Sequence, residues 1–482
     1  MISTTHREAP SRSLADLRAA LTCDVLLPGE RGYDQARRVW NADIDRSPAA
    51  IVACRSAQDV AAALTWSIDH GRDVTVRGGG HNLAGSCVMD GAVLIDTGPM
   101  RDVVFDTAAG TVTVGAGCRW GDVDRPAADL GVAVPAGVVS HTGVAGLTLG
   151  GGAGYLARMF GATVDHLTAA TVVLADGRIL DVSDREHPEL FWALRGAGHN
   201  FGVVTSFTFR YVAVPGPATI RQAFYRAADR ARVLRFYREW ALAAPDHITT
   251  YARLLTCPPY WSQVPTDHRG TPILSVATVT YGDPDVEPQL TAPMFAQAPP
   301  IWSTTRTVPH VQLQHSTDDE FRYGVGHYWK HLFLASLDDD VIDLCLDHVD
   351  RYPGRPLQAH SNIAHQMMCP FEVIGGGGAM SRRDPDATAM NSHGLPFSGN
   401  IGADFEFADE KPELMAWATE FADALAPHQG GTYINFTSVQ GDAATAREVY
   451  GTKYQRLVAV KRRYDPHNVF RGGLVDLTGG TE

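Results

Sequence analysis

Three short glycine-rich segments constrain this 482-residue chain more than any other feature. The first is Val76-Arg77-Gly78-Gly79-Gly80-His81-Asn82, in which three glycines follow a short predicted strand. Consecutive glycines leave several backbone N–H groups unhindered and pointing the same way, so that a loop can grip a pyrophosphate without side chains. His81 would then lie beside the cofactor that carries the pyrophosphate. A tight strand-to-turn connection followed by a surface histidine explains the same residues, and this segment alone does not decide between the two.

The second segment, residues 133–161, contains Gly152-Ala153-Gly154-Tyr155-Leu156-Ala157, which fits the GxGxxA variant of the dinucleotide fingerprint. Asp176 falls at the end of the next predicted strand, where a ribose-binding acid is expected. A true fingerprint follows a buried first strand, whereas polar residues and glycines interrupt the preceding VSHTGVAGLTL. We therefore disfavour a nicotinamide enzyme. The third segment, RGAGHNFG at residues 195–202, alone reads as a helix-to-strand turn with Gly196 as the helix C-cap.

The order of predicted elements indicates an α+β protein in three parts. Residues 1–213, with a core from about residue 48, alternate short strands with helices and predict small α/β subdomains. The proline-containing AVPGP at residues 213–217 marks a boundary. Residues 214–430 mix longer strands with helices, which predicts a large antiparallel sheet covered by helices. Residues 431–482 include one long predicted amphipathic helix, whose apolar face carries Val449, Tyr450, Tyr454, Leu457, Val458 and Val460.

The composition argues against several classes of function. A formal net charge of −13 does not suit binding to a phosphate backbone, so no nucleic-acid partner is expected. The first residues carry scattered charges and lack the apolar stretch of a signal peptide or membrane span, which predicts a cytoplasmic protein without a membrane partner. Histidines and cysteines lack the spacing of metal ligands, so no metal site is expected. The seven cysteines are widely spread and predict buried free thiols: Cys23, Cys54, Cys87, Cys118, Cys257, Cys345 and Cys369.

Together and in this order, the three segments resemble the vanillyl-alcohol-oxidase type of FAD protein, with its PCMH-type FAD-binding domain, and particularly the berberine-bridge-enzyme-like branch of FAD-linked oxidases. Tyr433-Ile434-Asn435-Phe436 and residues 461–471, KRRYDPHNVFR, are similar to that family's C-terminal segment. Tyr328-Trp329-Lys330 also resembles sequences of that family. The resemblance implies that residues 1–213 bind FAD, that residues 214–430 bind substrate, and that residues 431–482 return to cover the flavin.

The resemblance also implies which residues hold the cofactor. In that family the histidine of RGGGH is bonded through its ring to the 8α-methyl carbon of FAD, so His81 is the expected attachment point. Such a bond makes the flavin more oxidising and prevents its loss, which suits oxidation of an alcohol or a similar unactivated C–H. The other expected cofactor contacts are Arg77, Gly78, Gly79, Gly80, Asn82, Gly85, Val139, Ser140, Thr142, Gly143, Gly146, Gly150, Gly151, Gly152, Asn200, Gly202, Val203, Val204, Asn468 and Phe470.

Many relatives carry a second bond to the flavin, from a cysteine in a stretch that resembles residues 136–143 of this chain. Val139 occupies the place of that cysteine and has no nucleophile, so the resemblance implies a single attachment. Cys87 does not match the family's thiol and is interpreted as structural. His199 replaces the glycine usual in the third segment, and the ending RGGLVDL departs from the family pattern.

For the chemistry, the resemblance implies an oxidase that removes a hydride from a small alcohol, amine or secondary metabolite, with dioxygen as the acceptor. Tyr433 and Asn435 are expected at the reacting side of the flavin, with Tyr328 opposite and His141 near the ring. A tyrosine with a lowered pKa or a carboxylate such as Glu372 would take the substrate proton, although buried tyrosines often have purely structural hydroxyls. A dehydrogenase, cyclase or oxygenase of natural-product biosynthesis, or a non-catalytic flavin-binding protein, are the alternatives. A monomer and a homodimer are both compatible with the sequence.

Overall fold

The computed structural model describes residues 14–355, 370–391, 394–438, 441–471 and 475–479. Cys369 lies outside these ranges, and the six other cysteines are buried free thiols, as predicted. Within the described ranges, each helix is too short or too polar to span a bilayer.

A small sheet of four strands begins the fold. Its strand order is β1-β2-β4-β3, with β2, β3 and β4 parallel and β1 antiparallel at one edge. The apolar run that begins at Ala50 forms a buried strand, as expected for a parallel sheet covered on both faces. Helix α3 begins after Ser56, whose side chain accepts the Asp59 N–H. The elements are α1 Leu14–Ala20, β1 Asp24–Leu26, α2 Tyr33–Ala36, β2 Ala50–Ala53, α3 Ala57–Asp69, β3 Val74–Arg77 and β4 Val93–Asp96.

A second, antiparallel sheet follows, with strand order β5-β6-β10-β8-β9. Its helices and short connections carry the second and third glycine segments. A two-strand ribbon pairs β7 with β11 near the predicted boundary. The elements are β5 Val103–Asp106, β6 Thr111–Gly115, α4 Trp120–Asp129, β7 Val132–Ala133, α5 Val144–Gly150, α6 Ala157–Phe160, α7 Thr163–His166, β8 Leu167–Val173, β9 Ile179–Ser183, α8 Pro188–Ala197, β10 Val203–Arg210 and β11 Val212–Ala213.

The third sheet has eight antiparallel strands in the order β15-β12-β14-β13-β17-β18-β16-β19. Alternate residues of these strands, such as Leu254 and Val276, face the helices α9, α12 and α14 and form one core with them. The opposite face is turned toward the glycine segments. The elements are β12 Ala218–Arg226, α9 Arg230–Ala243, β13 Ile248–Thr256, β14 Pro272–Tyr281, α10 Glu287–Phe295, β15 Trp302–Val308, α11 His310–Gln314, β16 Gly326–Leu334, α12 Asp339–Asp350, β17 Phe371–Gly375, α13 Gly378–Arg382, β18 Phe397–Phe405, α14 Lys411–Leu425 and β19 Gln429–Gly431.

The last segment contains two helices where the sequence predicted one. Helix α15, Ala443–Tyr450, ends at Gly451, whose φ of 51° is left-handed, and α16, Tyr454–Tyr464, starts after a single 3-10 turn. The prediction of a continuous helix is therefore wrong. Its apolar face is correct, because its six predicted members are buried in one core with the second sheet. The predicted α+β fold class, with a large antiparallel sheet covered by helices, is confirmed.

Candidate functional site

A cavity of about 430 Å³ lies between the first two glycine segments and the inner face of the eight-stranded sheet. Its volume is within the usual range for small-molecule and cofactor sites. Residues from all three glycine segments contribute to its wall, together with Tyr433, Asn435 and Phe470 from the C-terminal segment. The fold thus brings together parts of the chain that lie hundreds of residues apart.

The glycine loops form this wall because their backbones touch. A Cβ atom added to Gly79 would lie 2.5 Å from Gly143 N, far closer than real Cβ contacts, so neither the first loop nor the start of α5 tolerates a side chain there. Gly146 differs, since among the described residues outside its own helical turn no atom lies within 4 Å of a Cβ at that position, and Gly146 lines the cavity. The space beside Gly146 is therefore available to a ligand that approaches the backbone closely.

Helix α5 also explains why the dinucleotide fingerprint is a chance match. Gly152-Ala153-Gly154 follows helix α5, whereas a dinucleotide fingerprint follows a buried strand and begins a helix. Gly152 instead has a left-handed φ of 86° and donates its N–H to the hydroxyl oxygen of Tyr433. Residues 152–154 therefore belong to the turn between helices α5 and α6.

His81 lies at the end of the first loop with its ring held on two sides. Its Nε2 is 2.7 Å from His141 Nδ1, and its ring is stacked on Trp40 with centroids 4.7 Å apart. His141 Nε2 in turn lies 3.3 Å from the carbonyl oxygen of Asp318. Burial, reinforced by the nearby His141, Arg119 and His327, holds the pKa of His81 well below its usual range. His81 is therefore a neutral imidazole near pH 7.

These contacts assign the histidine tautomers. A carbonyl oxygen only accepts, so His141 Nε2 carries the hydrogen and His141 Nδ1 is an acceptor. His81 must then donate from Nε2, which leaves a lone pair on His81 Nδ1. Burial also lowers the pKa of His141, against the opposing effect of Asp318, so the pair stays neutral.

Most of the predicted cofactor residues line the cavity, but eight do not. Those in its wall are Gly78, Gly79, Gly80, His81, Asn82, Val139, Thr142, Gly143, Gly146, Gly202, Val203, Val204 and Phe470. Those outside it are Arg77, Gly85, Ser140, Gly150, Gly151, Gly152, Asn200 and Asn468. His141 also lies outside the wall, and it is hydrogen-bonded to His81, which lines the cavity.

The polar residues outside the wall are committed to protein partners. The Arg77 guanidinium binds the Asp96 carboxylate at 2.8 Å and the carbonyl oxygen of Ala36. Ser140 donates its backbone N–H and its hydroxyl to Asp318 at 2.8 and 2.5 Å. Arg77 and Ser140 thus hold the loops that line the cavity, and their contact with the cofactor stays a prediction.

Three more residues outside the wall, Asn200, Gly150 and Asn468, also contact protein. The Asn200 side-chain amide donates to the backbone carbonyl of Ala197 at 3.1 Å, and the backbone carbonyl of Asn200 accepts a hydrogen bond from the Lys461 ammonium at 2.8 Å. Gly150 packs directly on the Asn435 side chain, which leaves no room for a Cβ. Asn468, with a left-handed φ of 49°, forms the turn before Phe470. Each of these three positions contacts protein, and its contact with the cofactor stays a prediction.

Tyr433 lines the cavity and its hydroxyl oxygen accepts two hydrogen bonds. The donors are the Gly152 N–H at 2.7 Å and the Asn435 amide at 2.9 Å. Asn435 also donates to the carbonyl of Leu147 at 3.0 Å. Burial raises the pKa of Tyr433 to about 12, although both donors oppose the shift. The phenol is therefore protonated at neutral pH, contrary to the lowered pKa that a tyrosine base requires.

Tyr328 does not reach the cavity. Along β16, His327, Trp329 and Phe333 face the glycine segments, whereas Tyr328 points to the opposite side and packs in the core beneath the helices. Its hydroxyl lies 3.4 Å from Thr419 Oγ1 on helix α14. The prediction that Tyr328 faces the substrate is wrong, because successive side chains of a strand alternate between faces.

A polar row across the inner face of the large sheet was missed as a group. Arg253 lies opposite Glu372, Glu372 opposite Asn400, and Asn400 opposite His331, on the neighbouring strands β13, β17, β18 and β16. The first three line the cavity, and Arg253 is paired with Glu372. Asn400 Oδ1 is buried without a hydrogen-bond partner among the described residues. This carbonyl is therefore ready to accept from a ligand donor.

His331 connects that row to the C-terminal segment. The Tyr433 N–H donates to His331 Nδ1 at 2.9 Å, and His331 Nε2 lies 2.8 Å from Ser398 Oγ. Burial lowers the pKa of His331 to about 3, so its ring stays neutral and is a fixed hydrogen-bonding support. Only Glu372 of this row was recognised from sequence; the alternation of polar side chains along the strands is the signal that points to the others.

Known proteins share both the sequence pattern and the fold. A family described as an FAD binding domain matches residues 48–183, and one described as berberine and berberine like matches residues 432–472. An FAD-linked oxidoreductase of Dictyostelium discoideum is 30% identical over 455 residues, 93% of this chain and 93% of that protein. An FAD-linked oxidoreductase of Aspergillus terreus is 34% identical over 491 residues, 94% of this chain and 93% of the relative.

The crystal structure of 6-hydroxy-D-nicotine oxidase from Arthrobacter nicotinovorans has a similar fold, with a TM-score of 0.80 and 27% identity over 94% of this chain and 97% of that one. The resemblance predicted from the glycine segments is thereby confirmed. An FAD-linked relative that is 30% identical over almost the whole of both chains shows that this chain belongs to the berberine-bridge-enzyme-like family of FAD-linked oxidoreductases.

Proposed function

We propose that this enzyme is an oxidase that holds FAD through a covalent bond to His81 and oxidises a small alcohol, amine or secondary metabolite, with dioxygen as the electron acceptor. The observation that carries the proposal is the position of His81 at the cavity wall. Its imidazole is neutral, its Nε2 is hydrogen-bonded to His141, and its Nδ1 carries a lone pair. The similarity to 6-hydroxy-D-nicotine oxidase supports an oxidase acting on a small substrate.

The residues of the cavity fit FAD. Gly78, Gly79 and Gly80 offer backbone that side chains do not cover, as a pyrophosphate requires. The open space at Gly146 admits close approach of a flat ring to backbone. Residues 202–204 and Phe470, at the cavity wall beyond His199, would hold the adenine end. Arg77, Ser140 and Asn200 act through the loops that they anchor.

His81 would be bonded through Nδ1. The hydrogen bond from Nε2 to His141 occupies the other nitrogen, and the lowered pKa of His81 keeps the ring unprotonated and nucleophilic. His141 fixes the ring orientation and accepts the Nε2 hydrogen, whereas its own Nε2 is held by the Asp318 carbonyl. Val139, at the position of the family's second attachment, lines the same cavity without a thiol, so we expect a single attachment.

The polar row would bind the oxidised group of the substrate. Bound FAD supplies a two-electron acceptor, so an alcohol loses a hydride and a proton, and dioxygen finally leaves as hydrogen peroxide. Glu372 is the carboxylate of the row and takes the hydroxyl or amine proton. Asn400 Oδ1 accepts a hydrogen bond from the second N–H of an amine, or from a neighbouring donor of an alcohol substrate. Tyr433, protonated and held by Gly152 and Asn435, keeps a fixed position at the cavity wall.

The attachment is tested on acid-precipitated protein. We expect the washed precipitate of the wild type to remain yellow and its polypeptide mass to exceed the sequence mass by one FAD. His81→Ala should give a colourless precipitate and the unmodified mass. Cys87→Ala is the matched control, since Cys87 is buried in the same cavity wall, and it should retain the pigment. A colourless wild-type precipitate would overturn the covalent bond, and loss of pigment in Cys87→Ala alone would move the attachment to that thiol.

A second experiment separates the oxidase from its alternatives of the same fold. Photoreduced enzyme is mixed with air-saturated buffer, and the return of flavin absorbance and the yield of hydrogen peroxide are recorded. An oxidase should recover its colour rapidly and release about one peroxide per flavin. Slow recovery, with fast recovery on an added artificial acceptor, would instead support a dehydrogenase. An oxygenase or a cyclase would also recover fast, so the oxidised product is analysed as well: an oxygen atom of dioxygen in the product would support an oxygenase, and a new ring in it a cyclase.

A further inference from the structure

A three-residue segment, Trp40 to Ala42, joins the first glycine loop to the strand β16 of the large sheet. The Trp40 backbone N–H donates to the carbonyl of Gly80, the residue before His81, at 2.9 Å. The Trp40 indole N–H donates to the carbonyl of Phe321 at 2.6 Å, in the chain that leads to β16. The Ala42 N–H donates to the carbonyl of Val325 at 2.9 Å.

Asn41 makes the same connection with its side chain. Its amide donates to the carbonyls of Leu83 and His327, both at 2.8 Å, and its carbonyl oxygen accepts the His327 N–H at 2.9 Å. Asn41 is only 1% exposed, so each of these hydrogen bonds is buried and costly to lose. The segment therefore fixes the distance between the first loop and β16.

The Trp40 indole is stacked against two histidine rings at this connection. The Trp40 indole is stacked on the His327 ring, with centroids 3.9 Å apart and planes 8° apart, and its other neighbour is His81, at 4.7 Å and 16°. Asp404 Oδ1 accepts from His327 Nδ1 at 2.6 Å and from the Trp329 indole at 2.7 Å. The orientation of His327, and with it that of Trp40, is thus set by a carboxylate on β18.

We propose that Trp40 is a positioning residue for flavin attachment. Stacked on a ring that Asp404 orients, it holds the His81 plane from one side while His141 holds its edge, so that His81 Nδ1 is presented in one direction. His327 and Asp404 belong to the large sheet, so this sheet helps to orient His81 for its covalent bond to the flavin. The inference rests on the proposed covalent attachment at His81.

The test compares total with covalent flavin in the purified full-length protein incubated with added FAD. Bound flavin is measured by absorbance before precipitation, and covalent flavin by the pigment that stays with the acid precipitate over time. For Trp40→Leu we expect near wild-type bound flavin and at least a tenfold slower rise of covalent flavin. Trp40→Phe keeps a stacking ring and should recover most of the rate. Trp66→Leu is the control, because Trp66 is also buried and stacked on a histidine, His70, at 4.0 Å, away from the cavity.

The outcomes are distinguishable. Absence of covalent flavin in the wild type would overturn the proposed attachment and this inference together. A wild-type attachment rate in Trp40→Leu would overturn the inference alone. Equal loss of bound flavin in Trp40→Leu and Trp40→Phe, or an equal slowing of attachment in Trp66→Leu, would show a role in folding only and would also overturn it.

Discussion

Two glycines in the cavity wall have opposite reasons for lacking a side chain. Gly79 is pressed against Gly143, so the absence of Cβ is required by the protein itself. Gly146 faces open space, has no left-handed backbone, and lies within helix α5, where alanine would be the better helix former. Nothing in the described protein fold requires glycine at position 146, so the requirement points to the ligand.

Alanine at these two positions should therefore separate fold from cofactor binding. Gly79→Ala is expected to lower the free energy of unfolding by about 1–3 kcal/mol, because the two loops must move apart. Gly146→Ala should leave it unchanged or raise it by up to about 1 kcal/mol, yet reduce the flavin content of the purified protein. Urea unfolding and the ratio of flavin to protein absorbance measure the two effects. Equal flavin content in Gly146→Ala and wild type would contradict the assignment of that space to FAD.

The polar row leads to a prediction about Glu372. Glu372→Gln keeps the size and can still contact Arg253, but it cannot take a proton. We expect the rate of anaerobic flavin reduction, with the alcohol or amine that best reduces the wild type, to fall about 10²-fold or more. Glu372→Asp should recover part of that rate. Glu189→Gln, an exposed carboxylate paired with Arg456, serves as the control. A wild-type rate in Glu372→Gln would assign the proton to another group.

A site residue could be predicted from the sequence when the residues that identify it are contiguous in the chain. His81 is recognisable because the triglycine loop and the histidine are contiguous. The row of Arg253, Glu372, Asn400 and His331 is drawn from four strands, and its members become neighbours only through the sheet order and register. Tyr328 was misassigned for a related reason, since a shift of one residue along a strand changes the face.

At the scale of elements, the long amphipathic pattern near the C-terminus misled the prediction of a single helix. Its six apolar residues are all buried, so the periodicity was read correctly. The break falls at Gly451, which has a φ of 51°, and because glycine occurs both within helices and at their ends, the pattern alone does not show that α15 ends there. Most other predicted strands and helices correspond to observed elements because their apolar runs are short and bounded by turn residues.

That break supplies a test of the two-helix arrangement. Gly451→Ala must place a Cβ in the left-handed region, where the nearest atoms of the described residues belong to the Asn391 amide, at 3.5 and 3.8 Å. The cost is therefore conformational, and we expect the free energy of unfolding to fall by about 1–2 kcal/mol. Thermal or urea unfolding measures it, with Gly146→Ala as the reference for a glycine without positive φ. If Gly451→Ala were stabilising, a continuous helix across residues 443–464 would be favoured instead.

For the whole molecule, the contact between the N-terminal part and the large-sheet part contains a buried carboxyl group. Asp124 on helix α4 is 4% exposed, and its Oδ2 has no hydrogen-bond partner among the described residues. Burial raises the pKa of Asp124 to about 7, and the negative charge of Asp318 raises it further. A hydrogen bond with Gln314 on helix α11 acts in the opposite direction and lowers it. The protein therefore favours protonated Asp124 across this contact.

The sign of the resulting pH dependence follows from a folded pKa that lies above the unfolded value. Folding carries no penalty from Asp124 below its unfolded pKa of 3.8, and stability is lost as the pH rises from there to about 7. Asp124→Asn removes this loss, so its stabilisation relative to wild type should grow between about pH 5 and about pH 8, to at most about 4 kcal/mol. Asp129→Asn, exposed on the same helix, should show no such growth. Urea unfolding at both pH values measures the free energy of unfolding of each variant relative to wild type. If the effect of Asp124→Asn did not depend on pH, the carboxyl group of Asp124 would already be ionised, and hence solvated, in the folded protein.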